Sequence, residues 1–280
     1  MINKNLEAYN EKEFSGLWGI VLGGSSGFGY ASIEKLTRHG MNIAVLYREM
    51  AAGDRLIREK FSQLALATGV TILPFNINAL DKAGQNLFVQ QFAASAGKKH
   101  CVKLLLHSIA RGNLKPLMIS QDAEPKTNHE PLTTDDIQLT TYAMSTSLLD
   151  WARLLLIENL FHNDARILGL TSEGAHKFWE GYAAVSIAKS SLESLTTYMA
   201  AELGKYGLKT NLIQAGVTET PSLKKIPASK KLIELSTARN PLGRMTKPED
   251  VANVIYLLCK DEASWINGAV IHADGGEHCL

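Results

Sequence analysis

The segment Leu17-Trp-Gly-Ile-Val-Leu-Gly-Gly-Ser-Ser-Gly-Phe-Gly29 joins an apolar run to a glycine-rich turn. The run Leu17–Leu22 predicts a buried strand, and the periodicity of Tyr30–His39 predicts a helix directly after the turn. Glycines at such a turn let the backbone approach a pyrophosphate, whose charge is stabilised by the free N–H groups of a helix N-terminus. Strand, glycine turn and helix in this order therefore predict a nucleotide-binding site.

The rest of the chain continues this alternation of strands and helices. Further strands are predicted at 42–47, 70–75, 102–106, 166–171 and 209–213. Helices are predicted at 50–66, at 82–96, from near Asp135, and from Tyr182 to about Leu203. The pattern predicts an α/β fold, a single-domain Rossmann-like doubly wound parallel sheet over residues 16–280. Residues 1–15 are predicted to be a polar N-terminal leader.

Composition excludes several classes of protein. A net charge of +1 over 280 residues gives no basic surface for nucleic acid or membrane. No apolar run approaches the ~20 residues that a membrane span needs. The acidic, polar N-terminus resembles neither a signal peptide nor a transit peptide. Three cysteines are few, and their spacing excludes a cysteine zinc site, so we predict no metal site. Such sparse use of cysteine suits a reducing compartment, and we expect a cytoplasmic protein.

A second motif, Tyr182-Ala-Ala-Val-Ser-Ile-Ala-Lys189, opens the long helix near the middle of the C-terminal half. The phenol and the amine stand two helical turns apart on nearly the same face, with a rise of roughly 10 Å between them. A phenol aligned with an ammonium can act as an acid whose pKa the cation lowers. The alternative is ordinary amphipathic packing with a solvated amine.

Together these motifs resemble the short-chain dehydrogenase/reductase superfamily over about residues 16–278. The motifs that carry the resemblance are Gly23-x-x-x-Gly27-x-Gly29, Tyr182 with Lys189, Asn240-Pro-Leu-Gly-Arg244 and Ala273-Asp-Gly-Gly276. Ordinary members place the Tyr and the Lys one turn apart. The longer spacing, the segment His107-Ser-Ile-Ala110 and the pair Ala215-Gly216 resemble the enoyl-acyl-carrier-protein reductases, a divergent branch.

The resemblance implies a nicotinamide cofactor. Its implied contacts are Gly23, Ser25, Ser26, Gly27, Phe28, Gly29, Arg48, Asn76, Ile77, Ser108, Ile109, Ala110, Lys189, Gly216, Val217, Thr218 and Thr220. Asn76 would contact adenine, the Val217 backbone the nicotinamide carboxamide, and Thr220 the pyrophosphate. Arg48 follows the second strand, where a cation pairs with a 2′-phosphate, so NADPH is favoured over NADH. The alternative is that Arg48 is solvated and Glu49 binds the ribose.

The same resemblance implies a catalytic set of Tyr182, Lys189 and Ser172. In a 2-enoyl thioester, hydride goes to C3 while negative charge collects on the C1 oxygen, and Tyr182 with or without Ser172 would stabilise that oxygen. Lys189 would bind the nicotinamide ribose and lower the pKa of the phenol. His107 is interpreted as structural. The Asn of the ordinary proton relay is missing, so Ser145 or Ser147 must hold any relay.

Other segments bear on substrate and partners. Phe178 and Trp179 would wall an acyl site or belong to the core, and the expanded connection 111–135 either shapes that site or is a surface insertion. The resemblance also implies a substrate-binding lid at 221–240. Its cationic side chains would dock an acidic acyl carrier protein or simply be solvated; they are Lys224, Lys225, Lys230 and Lys231. The apolar helix Leu148–Leu160 suits a homotetramer or homodimer interface, although burial within one subunit would give the same pattern.

Three functions follow as hypotheses. The first is an NADPH-dependent enoyl-thioester reductase of fatty-acid or secondary lipid metabolism, acting on an acyl thioester that an acyl carrier protein or coenzyme A carries. The second is a carbonyl-reducing member of the superfamily that reduces 3-oxoacyl thioesters. The third is a catalytically silent cofactor-binding regulator, which would have no need of Tyr182 and Lys189.

Overall fold

A computed structural model describes residues 12–97, 99–119, 130–220, 223 and 229–280, with the backbone alone at 229–232. These residues build one seven-stranded sheet in the order β3-β2-β1-β4-β5-β6-β7, with every neighbouring pair parallel. The strands are β1 (Trp18–Leu22), β2 (Asn42–Tyr47), β3 (Ile72–Asn76), β4 (Val102–His107), β5 (Phe161–Ser172), β6 (Leu208–Ala215) and β7 (Val270–Ala273). The predicted doubly wound parallel sheet is confirmed.

Helices cover both faces of this sheet. They are α1 (Gly27–Arg38), α2 (Ala51–Thr68), α3 (Lys82–Ala96), α4 (Thr134–Thr141), α5 (Ser147–Ile157), α6 (Ala183–Leu203), α7 (Ser229–Arg239) and α8 (Pro248–Cys259). Alternate side chains of β1 belong to different cores: Ile20 packs in one cluster and Val21 in the other. Covering both faces explains why the central strands are apolar runs rather than alternating patterns.

The strand order creates the crevice that holds the candidate site. From β1 the chain builds outward through β2 and β3 on one side, and then returns to add β4 on the other side of β1. Connections at the carboxyl ends of β1 and β4 therefore diverge, which is where ligands bind in open parallel sheets. The glycine turn after β1 and the segment after β4 meet at this point.

A π-helical turn, Tyr142–Thr146, joins α4 to α5 without a break in the helix. The helix begins with a capping box, in which Thr133 accepts from the Asp136 N–H and Asp136 accepts from the Thr133 N–H. π-Helical turns such as Tyr142–Thr146 occur frequently at functional sites. Here Met144 of the π turn reaches the catalytic cavity described below.

The structure moves several predicted boundaries. Phe14, within the predicted leader 1–15, is 3% exposed and belongs to the core, so the folded unit includes residues before 16. Residues 1–11 lie outside the described part. Strand β5 begins at Phe161 rather than at 166. Of the connection 111–135, residues 120–129 lie outside the described part, as do Lys224 and Lys225 of the predicted lid, whose later portion forms α7.

No helix in the described ranges combines the length and the apolar character needed to cross a bilayer.

Candidate active site

The glycine turn forms the floor of the first cavity. Gly23 has a φ of +86°, and a Cβ there would lie 2.7 Å from the carbonyl oxygen of Ser108. A Cβ on Gly29 would lie 2.4 Å from the carbonyl oxygen of Gly23, so neither position accepts a side chain without rearrangement. Helix α1 begins at Gly27, with Ser26 at its N-cap. The close backbone approach and the free N–H groups of this helix start fit a pyrophosphate.

The first cavity, here called the cofactor cavity, has a volume of about 300 Å³. Predicted cofactor residues that line it are Gly23, Ser25, Ser26, Gly27, Phe28, Arg48, Ile77, Ser108, Ile109, Ala110 and Thr220. Residues that line it without having been predicted are Leu46, Tyr47, Asn78, Ala79, Leu80 and Arg111. These residues extend from the carboxyl ends of β2 and β3 to that of β4, which gives the cavity the elongated shape that a dinucleotide requires.

Two predicted cofactor residues, Gly29 and Asn76, line neither the cofactor cavity nor the neighbouring cavity described below. Gly29 lies behind the turn, where its missing side chain permits close helix–strand packing rather than a ligand contact. Asn76 is occupied by the backbone of Glu49: its Oδ1 accepts the Glu49 N–H at 2.9 Å, and its Nδ2 donates to the Glu49 carbonyl at 3.0 Å. Asn76 thus has a structural contact, its contact with adenine stays a prediction, and the neighbouring Ile77 and Asn78 line the cavity.

Arg48 and Glu49 are separated by this arrangement. Arg48 is exposed and lines the cofactor cavity. The Glu49 carboxylate lies over the first turn of α2, where its Oε2 is 3.2 Å from the position of a Cβ on Gly53. Tyr47 donates a 2.6 Å hydrogen bond to Asp54, and burial is the largest cause that raises the pKa of its phenol. The cation, rather than the acid, thus faces the cavity at the end of β2.

All three predicted catalytic residues line a second cavity of about 190 Å³, here called the catalytic cavity. It adjoins the cofactor cavity, since Phe28, Thr220 and the segment 108–110 line both. Tyr182 is the N-cap of α6 and not its first helical residue. A Cβ on Gly174 would lie 2.6 Å from Cε1 of Tyr182, so the absence of a side chain at 174 leaves room for the ring.

The Tyr182 phenol lies beside the Ser172 side chain in this cavity. Burial raises the pKa of Tyr182, and the Ser172 hydroxyl opposes this rise only in part. Lys189 is not among the causes of this shift, so its lowering of the phenol pKa stays a prediction. Tyr182 is accordingly a neutral hydrogen-bond donor at pH 7.

Lys189 is buried, and its ammonium donates a 2.7 Å hydrogen bond to the Leu170 carbonyl. Burial lowers the pKa of Lys189 to about 8, against an opposing contribution from Glu193 one turn later on α6. His107 is also buried, and burial followed by the charge of Lys189 lowers the pKa of its imidazole to about 3. Its Nε2 lies 2.9 Å from the Ser147 hydroxyl, which agrees with a structural histidine.

Neither serine proposed for a relay lines the catalytic cavity. Ser147 pairs with His107, and the Ser145 hydroxyl donates to Ser191 at 3.2 Å. Apolar walls come instead from Phe28, Met144, Leu170, Trp179 and Leu223. The predicted wall residue Phe178 is 89% exposed and does not line the cavity.

The nicotinamide end of the site contains a contact that the sequence does not predict. Gly216, Val217 and Thr218, which are predicted cofactor contacts, line the catalytic cavity. The Val217 N–H, however, donates to Oε2 of Glu277 at 3.1 Å. The predicted carboxamide partner is therefore already hydrogen-bonded within the protein, and a bound carboxamide must share or replace this contact.

Glu277 belongs to an ionic chain that reaches helix α7. Arg239, at the end of α7, donates to Oε1 of Glu277 at 2.8 Å and also pairs with Glu173, which lines the catalytic cavity. The Glu277 side chain is 2% exposed. This chain fixes the end of the predicted lid helix to both sides of the site. The sequence of the C-terminal segment contains no motif that predicts these ionic contacts.

We expect Glu277→Ala to lower thermal stability, because it removes the buried carboxylate that accepts hydrogen bonds from the Val217 N–H and from the Arg239 guanidinium. Bonds to charged groups are worth about 1.5–3 kcal/mol each, so a loss of about 3 kcal/mol should lower Tm by about 6–12 °C. Thermal unfolding followed by circular dichroism measures the change. Glu262→Ala, on an exposed turn, is the matched control and should leave Tm unchanged. Equal Tm values for the two variants would contradict the role of Glu277.

Comparison with known proteins identifies a matching family. The family model described as "Enoyl-(Acyl carrier protein) reductase" matches residues 23–278. The enoyl-[acyl-carrier-protein] reductase [NADH] FabI of Aquifex aeolicus is 37% identical over 114 residues, which are 41% of this chain and 42% of the relative. The same enzyme of Haemophilus influenzae is 38% identical over 113 residues, or 40% and 43% of the two chains. The chain thus spans about two fifths of the length of these curated relatives.

Solved structures share the fold over nearly the whole chain. The crystal structure of enoyl-[acyl-carrier-protein] reductase (NADH) from Aquifex aeolicus has a TM-score of 0.78 at 23% identity, covering 95% of this chain and 98% of the other. A short-chain dehydrogenase/reductase from Serratia marcescens has a TM-score of 0.77 at 23% identity and covers 95% and 99%. At these identities the likeness concerns the fold.

Proposed function

This chain belongs to the enoyl-(acyl carrier protein) reductase family of short-chain dehydrogenases, and on that premise we propose that it reduces the C2–C3 double bond of a 2-enoyl thioester. One observation carries the proposal: Tyr182, Ser172 and Lys189 line a single cavity that adjoins the cavity of the glycine turn. The apolar wall provided by Met144, Trp179 and other residues suits an acyl chain.

The residues that would hold a nicotinamide cofactor fit the group, since the glycine turn and the start of α1 leave room for a pyrophosphate. When bound, the reduced nicotinamide supplies hydride to C3 of the substrate. Tyr182 then donates its hydrogen bond to the C1 oxygen, on which negative charge develops. The Ser172 hydroxyl orients the phenol, and it lowers the pKa of Tyr182 relative to burial alone. Solvent protonates C2.

Lys189 binds the nicotinamide ribose in this proposal and positions it beside the phenol. Its ammonium is held by the Leu170 carbonyl, which places a cation two helical turns from Tyr182. That offset suits a substrate whose hydride acceptor, C3, and charged oxygen are two carbons apart. We therefore assign the charge of Lys189 to positioning and electrostatics and not to proton donation.

We propose NADPH as the preferred cofactor, although the names of the curated relatives specify NADH. The support is the side chain of Arg48, which lines the cofactor cavity while the Glu49 carboxylate lies over α2. A guanidinium pairs with a 2′-phosphate in charge-assisted hydrogen bonds.

Arg48→Ala is expected to weaken NADPH binding by about 10- to 100-fold, the value of one or two bonds to a charged group. NADH binding should change less than threefold, because NADH carries no 2′-phosphate. Fluorescence titration of both reduced cofactors measures the effect. Arg55→Ala, an exposed arginine on α2, is the control. Equal losses for NADPH and NADH would assign Arg48 to general binding and remove the preference for NADPH.

Carbonyl reduction is the alternative function that a specific residue favours. By the resemblance, Ser172 stands where many enoyl reductases have a second Tyr, whereas ordinary carbonyl-reducing members and some enoyl reductases have Ser. A member of the wider superfamily also shares the fold. Incubation with crotonyl-CoA or acetoacetyl-CoA, while the absorbance of NADPH and NADH is followed, separates the two functions. We expect turnover with the enoyl thioester. Turnover with the 3-oxoacyl thioester alone would establish the alternative, and cofactor binding without any turnover would indicate a silent regulator.

We further propose that the acyl group arrives on an acyl carrier protein in the cytoplasm and that the chain assembles into a homotetramer or homodimer. The names of the relatives specify an acyl-carrier-protein substrate, which supports the first part. Of the predicted docking lysines, Lys224 and Lys225 lie outside the described residues, and only the backbone of Lys230 and Lys231 is described. A comparison of kcat/KM for the same enoyl group on acyl carrier protein and on coenzyme A tests the carrier.

A further inference from the structure

We propose that His272, Asp274 and His278 form a binding site for one divalent transition-metal ion, with Zn²⁺ the best match. The site lies at the C-terminal edge of the sheet. His272 belongs to β7, Asp274 follows this strand, and His278 lies in the 3₁₀ turn Glu277–Cys279. No step of the proposed reaction uses these three side chains.

The donor atoms already converge. One ligand atom from each residue lies within 4.8 Å of the other two. Oδ2 of Asp274 is 2.7 Å from Nδ1 of His278 and 3.8 Å from Nδ1 of His272. Zinc bonds to imidazole nitrogen and carboxylate oxygen are about 2.0–2.2 Å long, so tetrahedral ligand atoms stand roughly 3.5 Å apart. Side-chain shifts on the order of 1 Å would therefore seat the ion, which replaces the proton between Asp274 and His278.

The surroundings leave room and compensate charge. The three residues line a cavity of about 430 Å³, where a metal-bound water can complete the coordination. Arg244 lines the same cavity, but both of its terminal nitrogens donate hydrogen bonds to the Asp250 carboxylate, at 2.6 and 3.0 Å, so its charge is paired. Two imidazoles and one carboxylate form a nitrogen-rich donor set that favours Zn²⁺, Co²⁺ or Ni²⁺ over Mg²⁺.

Capping of the C-terminal turn explains Asp274 but not His272. Asp274 is 4% exposed and accepts the N–H of Gly276 at 3.0 Å and that of His278 at 3.1 Å. The His272 ring takes no part in this turn, yet it lies against the His278 ring, with centroids 3.8 Å apart and planes tilted by 45°. Two imidazoles facing one buried carboxylate make a more complete donor set than a cap requires.

The site is connected to the catalytic cavity through one residue. Glu277 lies in the turn that Asp274 caps, and its carboxylate holds the Val217 N–H and Arg239. An ion bound to Asp274 and His278 would tighten this turn and so support the segment at the nicotinamide end. Binding of a metal to the folded state alone raises its stability in proportion to the logarithm of metal concentration.

Titration with ZnCl₂ tests the proposal on the full chain, without a histidine tag and after treatment with a chelator. We expect one Zn²⁺ per chain, by competition with a chromophoric chelator, and a Tm that rises by several degrees with zinc and not with MgCl₂. His272→Gln should weaken binding at least tenfold without affecting the fold, since this side chain is outside the capped turn. His278→Gln should weaken binding to a similar extent.

His100→Gln, a change at an exposed histidine away from the cluster, is the matched control and should bind like the wild type. Co²⁺ provides a second readout: its visible absorption on the wild-type protein should disappear in His272→Gln. Wild-type binding weaker than 1 mM, or equal binding by wild type and by the double variant His272→Gln with His278→Gln, would overturn the proposal.

Discussion

Replacement of Tyr182 by Phe lowers kcat for a 2-enoyl thioester by roughly 10²–10⁴-fold, the usual contribution of a positioned acid. The phenol lines the catalytic cavity from the start of α6, beside Ser172, and is the hydrogen-bond donor that we propose for the substrate oxygen. The ring remains in Phe, so the contact with Gly174 and the fold are retained. Cofactor affinity should stay within twofold. Steady-state kinetics and fluorescence titration measure the two quantities separately.

Tyr198→Phe is the matched control, because this residue lies on the same helix and its side chain is 64% exposed. Its turnover should equal that of the wild type. Wild-type turnover in Tyr182→Phe would remove the catalytic assignment. A parallel loss of cofactor affinity would instead place the phenol in cofactor binding.

Replacement of Lys189 by Met is expected to weaken cofactor binding by about 10- to 100-fold, because it removes the buried ammonium that we propose as the partner of the ribose. The wild-type enzyme should also lose kcat/KM as the pH rises through about 8, where the lowered pKa of Lys189 removes its charge. The Met variant has no such group and should lack this alkaline limb. A pH–rate profile of both proteins measures the difference, with Lys205→Met, on an exposed turn, as the control.

The same pKa predicts an opposite change in stability. Lys189 has a pKa of about 8 in the folded protein against an ordinary 10.5, so the unfolded chain binds more protons between these values. The free energy of unfolding of the wild type therefore rises with pH in this window relative to Lys189→Met. Parallel stability curves for the two proteins would show that the Lys189 amine is not desolvated.

The sequence predicts best those elements whose limits are set locally. The observed bounds of α3 are the predicted ones, since Asp81 caps its start by accepting the Gly84 N–H at 2.7 Å and Gly97 ends it at a φ of +61°. Strand β5 is longer than predicted because His162, Asn163 and Asp164 resemble a loop. In the fold, Asp164 accepts from Lys103, Arg166 and Lys209. Two of these partners lie far away in the chain, and no periodicity shows them.

The site follows the same division. The glycine turn, the segment after β4 and the Tyr182–Lys189 pair are local motifs, and they were predicted to lie in the neighbouring cavities that they line. The contact between Val217 and Glu277 joins residues 60 positions apart, and the spacing of His272, Asp274 and His278 matches no familiar metal motif. Charge balance also depends on the fold. Burial raises the pKa of Tyr182, whereas the helical spacing alone suggested that Lys189 would lower it.

Transfer of deuterium from 4-deuterated reduced nicotinamide to crotonyl-CoA, with the product analysed by mass spectrometry and NMR, tests enoyl reduction most directly. We predict butyryl-CoA with deuterium at C3 and a solvent-derived proton at C2. In the same incubation time, Tyr182→Phe should form at most a trace of this product. Deuterium on a hydroxyl-bearing carbon of a 3-oxoacyl substrate, together with unlabelled and unreduced crotonyl-CoA, would contradict it.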